Sequence, residues 1–513
     1  MKNHLPLFVL VAALSSSPLA LFGDNATWTG AQDADLAKAG NWSGGSLCGS
    51  LSDATTRDAA TFRGQMPTSQ LAPSVDWYVG TVSFSEQNGA TAWRLGTGAA
   101  GDPAIHLCGI GSGSITFSYA NAANTVVDLA GPLVIENIYQ FNCDPSAEGS
   151  SLRIGRLSAS GNYSVQLKGA GTSGVVYGPV SDGDGVVAIS KLHDGTWTLK
   201  GENTFTGVVS INRGTLVAGG DVGALGVAGP FGANATQAAG LSVRVGDPNP
   251  SVDCIAALLL GYNDDGTPVT FRRDVQSQQN NKIATVSQPA HFGGANTNGV
   301  TRFTSIVRAY RPCVLKCAAG GTVAFSGTVN PYDRPVGIGT ADFAGTVRLE
   351  TSLNTSSGVT CDYGTLDVCA DLKAATTVNA GAVVTSSSTD GKGVVSGALT
   401  VAAGGILAGG ATGTLSVSGA LAMASGAYLR FESAERQSPS IVVGGGLSLD
   451  GVRVAVEGER VDFAQAVPLL RADGGLSDVD ALEVASVPRR YVVFVRGDTI
   501  YGQNRPGTVF TIR

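Results

Sequence analysis

Two pairs of closely spaced aspartates are the residues of this sequence best suited to acid–base chemistry. Asp182 and Asp184 in "SDGDG" alternate on one side of an extended chain, and Asp264 and Asp265 in "YNDDG" are adjacent. Paired carboxylates can hydrolyse a glycosidic bond as general acid and base. Both pairs lie against glycines, however, and this context favours solvated turns. Calcium would need further oxygen ligands, which the surrounding sequence does not supply.

The histidines offer little for catalysis. There are four of them: His4, His106, His193 and His291. No Ser-His-Asp order, Gly-x-Ser-x-Gly elbow or His-Glu-x-x-His motif accompanies them. His193 stands beside Asp194 in a stretch typical of a turn that flanks a strand. We therefore assign no catalytic, metal-ligating or cofactor-binding residue, and we expect no cofactor.

Eight cysteines form an even set, which permits disulfides in an exported chain: Cys48, Cys108, Cys143, Cys254, Cys313, Cys317, Cys361 and Cys369. Cys313 and Cys317 would be roughly 13 Å apart in an extended chain and can bond only across a turn. Cys361 and Cys369 flank "DYGTLDV", where a glycine turn could bring two strands together, so this pair is favoured. A zinc site is the alternative, but no histidine lies close in sequence.

Tryptophan could bind glycans by stacking if it were exposed. The chain has five tryptophans: Trp28, Trp42, Trp77, Trp93 and Trp197. Trp197 has the phase of an inward strand residue, and we expect the other four in the core as well.

Short strands must position these residues. The stretch "GTWTLKGENTFTGVVSINRGTL", residues 195–216, holds three alternating segments, separated by turn residues at 201–203 and 212–214. Each segment places two apolar residues on one side: Trp197 and Leu199, Val209 and Ile211, and Leu216 and Ala218. Such a coil of about 20 residues can bury its inward side chains only against the coils above and below it.

The same pattern recurs towards the C-terminus and excludes a helix for most of the chain. Leucines at 399, 407, 415, 421 and 429 have even spacings, which keep them on one face of a strand. Glycine, 71 of 513 residues, would destabilise helices by about 1 kcal/mol each. An antiparallel sandwich is the alternative, but its Asn-Gly and Asp-Gly hairpin turns are sparse. The sequence thus favours an all-β fold, a right-handed parallel β-helix.

Residues 181–220, "SDGDGVVAISKLHDGTWTLKGENTFTGVVSINRGTLVAGG", resemble the autotransporter-associated β-strand repeat, also called the passenger-associated transport repeat. That family has a Gly-Thr-aromatic-Thr-Leu strand, then Gly-x-Asn-Thr-Tyr-Thr-Gly and a closing Gly-Thr-Leu. The matching positions are Gly195, Thr196, Trp197, Thr198, Leu199, Gly201, Asn203, Thr204, Thr206, Gly207, Gly214, Thr215 and Leu216, with Phe205 in the tyrosine place. Residues 26–45 and 58–64 are similar to the opening of exported proteins that carry this repeat.

This resemblance implies a parallel β-helix passenger on the bacterial surface or secreted from the cell, and it does not imply catalysis. Autotransporters end in a barrel of amphipathic strands, each of roughly 10 residues. From about residue 436 too few residues remain for such a barrel. The resemblance is therefore to the barrel-less exported members of the group.

The first residues predict export. Lys2 and His4 precede the apolar run Leu5–Leu14 and a stretch of small residues, the pattern of a secretory signal peptide, which we place at residues 1–23. The apolar run is shorter than the roughly 20 residues of a membrane span, and we expect no span after removal of the signal. The net charge of −7 and the isolated Arg272–Arg273 and Arg489–Arg490 pairs disfavour nucleic acid as a partner.

The expected organisation is a signal peptide at 1–23, an N-terminal cap segment at 24–72, a solenoid at 73–435 and a β-rich C-terminal cap at 436–513. At about 20 residues per coil the solenoid has roughly 18 coils and a length of about 85 Å. Residues 246–300, with "GDPNPSVDC" and "QSQQNNK", are the candidate for an irregular excursion from the rod. Such loops often carry binding sites.

The function that these patterns favour is that of an exported, non-enzymatic surface or extracellular β-helix protein, acting in adhesion or cell-envelope structure. We expect surface glycans or cell-envelope components as partners. Two alternatives stay open: a carbohydrate-active β-helix enzyme, either polysaccharide lyase or hydrolase, that uses the paired aspartates, and a carbohydrate-binding protein without catalysis. Exposed coplanar Trp or Tyr rings would indicate the last.

Overall fold

The computed structural model describes most of the chain, with gaps. The described residues are 25–63, 70–85, 92–109, 113–117, 124–144, 149–171, 174–234, 243–248, 254–278, 289–410, 412–432, 436–458, 465–488 and 491–504. The expected signal peptide, residues 1–23, and the C-terminal sequence "GTVFTIR" lie outside them.

Parallel pairing of short strands dominates these residues, and the predicted all-β parallel β-helix is confirmed. The opening stretch shows why. In the strand Thr196–Leu199, Trp197 and Leu199 are fully buried while the threonines face outward. The same strand pairs in register with Gly174–Val176 on one side and Gly214–Ala218 on the other. Backbone groups are thus satisfied between coils, so most outward positions need only a small polar residue.

Sheets 1 and 3 both begin in the N-terminal part of the chain. Sheet 1 has twelve parallel strands: Asn25–Thr27, Ala59–Arg63, Thr81–Ser85, Gly113–Phe117, Tyr139–Cys143, Tyr163–Lys168, Val187–Lys191, Val209–Ile211, Val243–Val245, Val275–Ser277, Val307–Arg308 and Val329–Asn330. Sheet 3 has five parallel strands: Trp77–Val79, Ile105–Leu107, Leu133–Ile135, Leu157–Ala159 and Val180–Gly183.

Sheet 2 consists of two parallel ladders that share the long strand Cys313–Phe325. The first ladder contains Ala92–Leu95, Val126–Leu129, Ser151–Ile154, Gly174–Val176, Thr196–Leu199, Gly214–Ala218, Ala256–Leu260, Ala290–Gly294, Val336–Ile338, Val359–Cys361, Thr376–Val378, Leu399–Val401 and Leu421–Met423. The second contains Thr270–Phe271, Val300–Phe303, Ala344–Leu349, Thr365–Val368, Val383–Thr385, Ile406–Gly409, Tyr428–Glu432, Arg453–Glu457 and Glu483–Ser486.

The C-terminal part continues the stack and ends in a hairpin. Sheet 4 has the parallel strands Asp371–Leu372, Val394–Val395, Leu415–Val417, Ile441–Val443 and Val467–Ala472, to which Thr499–Asn504 and Tyr491–Arg496 add antiparallel. Sheet 5 pairs Leu447–Ser448 with Leu476–Ser477. The described helices are three short 3₁₀ turns: Ala39–Asn41, Ser43–Gly45 and Val479–Ala481.

The coils differ more in length than the sequence suggested. Register partners on successive levels are 19 residues apart from Leu349 to Val368 and 34 apart from Val209 to Val243. Residues 73–435 therefore contain fewer levels than the roughly 18 expected. Parallel pairing also reaches beyond this range, from Asn25–Thr27 at one end to Glu483–Ser486 at the other.

The expectation of an irregular excursion at residues 246–300 is wrong for the described part of that segment. It contains the strands Ala256–Leu260, Thr270–Phe271, Val275–Ser277 and Ala290–Gly294, each paired in register with its neighbours. The polar and proline-containing sequences that suggested an excursion fall largely at 249–253 and 279–288, outside the described residues. The described part of the segment forms coils of the stack.

Aromatic side chains fill the interior and close its N-terminal end. Phe303 and Phe325 stack on successive levels with ring centroids 5.1 Å apart. Near the N-terminus, Trp42 packs against Trp28 and Trp77 with centroids 5.2 Å and 5.7 Å apart. These rings cover the first coil of the core, which has no coil beneath it among the described residues.

Candidate functional site

Asp182, one of the candidates for acid–base chemistry, is engaged in hydrogen bonds to its own coil and the next. Its Oδ1 accepts the backbone N–H of Val187 and of Thr206, both at 3.0 Å, and its Oδ2 accepts the Thr206 hydroxyl at 2.7 Å. A carboxylate with three donors holds a turn in shape and has little capacity left for a substrate. Asp184 is exposed and lies apart from it in the following turn.

The second pair, Asp264 and Asp265, also lies in a turn. Asp264 is largely exposed and forms an ion pair with Lys200 at 2.8 Å. Asp265 accepts the Thr267 backbone N–H at 2.9 Å and the Thr267 hydroxyl at 2.6 Å, an Asx turn. The turn prediction therefore holds for Asp184, Asp264 and Asp265, whereas Asp182 lies at the end of the strand Val180–Gly183.

His193 occupies the predicted turn, with φ of 61°, and its neighbour Asp194 pairs with Arg213. The carbonyl of His193 helps to hold Lys191, which is fully buried. The Lys191 ammonium donates to the carbonyl oxygens of Leu192 and His193 at 2.7 Å each and of Arg213 at 3.2 Å. Burial lowers the pKa of Lys191 to about 7, and the charge of Asp194 opposes that shift. This group clamps two successive coils together.

The favoured disulfide between Cys361 and Cys369 is not present. Cys361 is fully buried in the core, and burial raises the pKa of its thiol to about 12. The Cys369 thiol lies instead 3.3 Å from the Ser387 hydroxyl on the outer side of the stack. The two side chains therefore point to opposite sides of the wall. Cys313 and Cys317 lie in one strand without a turn between them and are likewise not bonded.

All five tryptophans are buried, as predicted, with Trp28 the most exposed at 6%. Exposed aromatic rings are tyrosines. Tyr310 and Tyr332 lie on neighbouring levels with centroids 4.5 Å apart and planes inclined by 19°. They stack on each other and so cover one face of each ring, and they do not form the coplanar pair expected of a glycan platform.

A concave groove lies on the outside of sheet 2. Its volume is about 560 Å³, and it lies where the first ladder turns into the second. Ile338, Cys361 and Val378 are in register on three successive levels, so the turns that follow them lie side by side. These turns supply Thr340, Asp362, Tyr363 and Asn379, and the neighbouring strands supply His291 and Val314.

The polar atoms of this groove are only partly paired. Asn379 Nδ2 donates to Asp362 Oδ1 at 2.7 Å. Within the described residues, Asp362 Oδ2, Asn379 Oδ1 and the Thr340 and Tyr363 hydroxyls have no hydrogen bond. Tyr363 is 46% exposed and stands at the rim. The site thus offers two adjacent acceptors, two hydroxyls and an open aromatic ring.

His291 forms part of the floor. It is 3% exposed, and its Nδ1 has no hydrogen-bond partner within the described residues. Burial, together with the nearby charge of Lys316, lowers the pKa of His291 to about 3, so the imidazole is neutral at neutral pH. Lys316 is itself buried, with its ammonium 4.1 Å from the centroid of the Phe343 ring.

Sequence reasoning singled out none of the groove residues as a site. Asp362 and Tyr363 belong to the "DYG" stretch that was considered only as a turn between two cysteines. The available signal was a tyrosine in a turn between two apolar strands, where a small polar residue would suffice. Whether this tyrosine belongs to a site depends on which turns lie beside its own turn. Those neighbours are known only once the register of the coils is known.

The fold defines the chain as a parallel β-helix protein. No family model, curated protein or solved structure matches it. Among the described residues, no group of three or more His, Cys, Asp or Glu side chains is arranged to hold a metal ion. The same part of the chain contains no helix that is both long and apolar enough to cross a membrane.

Proposed function

We propose that this chain is an exported, non-enzymatic β-helix protein that acts in adhesion or in cell-envelope structure. The observation that carries the proposal is the stack of parallel strands in the described residues, from Asn25–Thr27 to Glu483–Ser486. Such a rod displays equivalent outward positions at every level, about 4.8 Å apart, and can make many weak contacts along its length. The signal-like N-terminus, residues 1–23, supports export to the surface or the medium.

The charges on the rod support a structural role for its outer faces. Arg302 binds Glu350 with a shortest distance of 2.6 Å, and Arg308 binds Asp274 at 2.9 Å, in both cases across levels of the stack. Arg348 similarly binds the buried Asp367 at 2.7 Å. These pairs join coils one or two levels apart, so the charged residues are used to hold the rod together, which suits a display scaffold.

Binding to isolated cell-envelope fractions tests the proposal. The purified chain is expected to bind them saturably, with no release of reducing ends from the polysaccharides they contain. Binding would be measured by sedimentation with the fractions, and sugar release by a reducing-end assay in the same samples. Absence of binding to every envelope fraction would contradict an adhesive or envelope role, and sugar turnover would contradict the non-enzymatic one.

The enzyme alternative makes a distinct prediction at Asp182. We expect Asp182→Asn to lower the free energy of unfolding by about 1–2 kcal/mol, because one turn loses hydrogen bonds to a charged acceptor. Sugar release should not change. Urea denaturation and the reducing-end assay would be run with Asp264→Asn as the matched variant, since that aspartate is exposed and should be neutral for stability. Sugar release abolished by either substitution would favour the enzyme.

A further inference from the structure

We propose that the groove formed by Thr340, Asp362, Tyr363 and Asn379 over His291 binds a neutral saccharide chain. The proposal rests on the function proposed above and names the chemical class of the partner. Its basis is the combination of a concave surface, adjacent unpaired acceptors and one exposed ring in the described residues.

The polar atoms match a polyol better than an ion. Asp362 Oδ2 and the neighbouring Asn379 Oδ1 can accept hydrogen bonds from two hydroxyls of one sugar ring, and the Thr340 hydroxyl can donate or accept. A single carboxylate beside an amide is far from the six to eight oxygens that calcium takes. The same carboxylate repels acidic groups, and no lysine or arginine among the described residues lines the groove, since the nearby Lys316 is buried against the Phe343 ring.

The shape of the site fits a chain. The groove crosses five levels of sheet 2, from the strand of His291 to the strand that precedes Asn379, which is roughly 19 Å at about 4.8 Å per level. One sugar ring is about as long as one level. A linear saccharide lying along the rod can therefore place successive rings over successive levels, and the groove is open at the surface, as binding along a polymer requires.

Tyr363 is the aromatic contact of the site. Its ring is 46% exposed at the rim, and the chain immediately before it is fixed by Asp362, whose backbone N–H donates to the Ile338 carbonyl at 3.1 Å. An exposed ring held in this way can cover the apolar face of a pyranose at little entropic cost. His291, buried with an unpaired Nδ1, marks the floor as a polar position that the protein itself leaves unsatisfied.

The experiment compares variants of the full chain on an array of neutral and acidic glycans, followed by calorimetric titration with neutral hexasaccharides of the linkage bound. Tyr363→Ala is expected to weaken binding at least tenfold, whereas Tyr363→Phe, which keeps the ring, should stay within about threefold of the unchanged chain. Tyr332→Ala is the matched control, because Tyr332 is a tyrosine of similar exposure, 43%, in a different turn. It should bind as the unchanged chain does.

The outcomes separate the two proposals. Binding of neutral glycans that survives Tyr363→Ala, selective binding of acidic glycans, or binding of no glycan would each overturn the groove assignment. None of these results affects the display role if the chain still binds cell-envelope fractions. Loss of envelope binding in the unchanged chain would instead overturn the display role. Equal thermal midpoints of the three variants would exclude misfolding as the cause of lost binding.

Discussion

Replacing Arg273 with methionine is expected to lower the free energy of unfolding by about 3–5 kcal/mol. Arg273 is 3% exposed, and its guanidinium lies inside a cage of backbone carbonyls from the loop at 221–234. It donates to Gly223 at 3.1 Å, to Phe231 at 3.2 Å and to Gly232 at 3.1 Å. Burial lowers the pKa of the guanidinium to about 10, so it stays charged at neutral pH. Methionine fills similar space and leaves these carbonyls without donors.

Arg272 provides the control for this substitution. It is the next residue along the chain, its side chain is 50% exposed, and it forms one ion pair, with Asp221 at 3.0 Å. Arg272→Met should therefore change the free energy of unfolding by less than about 1 kcal/mol. Urea denaturation gives the stability of both variants, and limited proteolysis reports whether the loop at 221–234 opens. If both variants lost a similar amount of free energy of unfolding, the carbonyl cage around Arg273 would not stabilise the fold as argued.

The contrast between these two arginines shows where sequence reasoning stops. In the sequence they form one isolated basic pair, which indicated only that nucleic acid is an unsuitable partner. One of them is exposed, and the other is the centre of a buried network. The loop that cages Arg273 lies about 40 to 50 residues earlier in the chain. No local pattern records that contact. It depends on coils of unequal length that bring the loop beside the strand Thr270–Phe271 and the two arginines after it.

The sequence predicts those features that are determined within one coil: the strands, their inward faces and the turns. The alternation of Trp197 and Leu199 with threonines fixes a strand and its inward face, and even leucine spacings do the same near the C-terminus. The inward position of the tryptophans follows from the same rule. Turn chemistry was equally local: Asp182 and Asp265 each bind residues close in sequence or in the adjoining coil.

What could not be predicted depended on the alignment of turns across levels. Cys361 and Cys369 flank a turn, as expected, but one points into the core and the other away from it, because the turn shifts the inward positions from odd-numbered to even-numbered residues. The groove could not be predicted from the sequence for a related reason. Asp362 and Asn379 are 17 residues apart and become neighbours only because Cys361 and Val378 are in register.

Residues 181–220 join these two kinds of information, because polar side chains in this stretch bind across levels. Asn203 is fully buried, and its Oδ1 accepts the Val180 backbone N–H at 2.8 Å. Its Nδ2 donates to the carbonyls of Lys200 at 3.0 Å and Pro230 at 2.9 Å. One amide thus satisfies backbone groups on three successive segments at a corner, where the regular ladder is interrupted.

We expect Asn203→Ala to lower the free energy of unfolding by about 3 kcal/mol, since three backbone groups, two of them buried, lose their partner at once and each unsatisfied group costs about 1 kcal/mol or more. Asn142→Ala is the matched control. Asn142 lies on the outward side of sheet 1, where its Nδ2 makes one hydrogen bond, to the Thr116 hydroxyl at 3.2 Å, so its loss should cost under about 1 kcal/mol. Both values come from urea denaturation of the full chain. If Asn203→Ala proved as mild as its control, the corner would be held by its backbone alone, and the asparagine of the motif would need an explanation other than the stability of the stack.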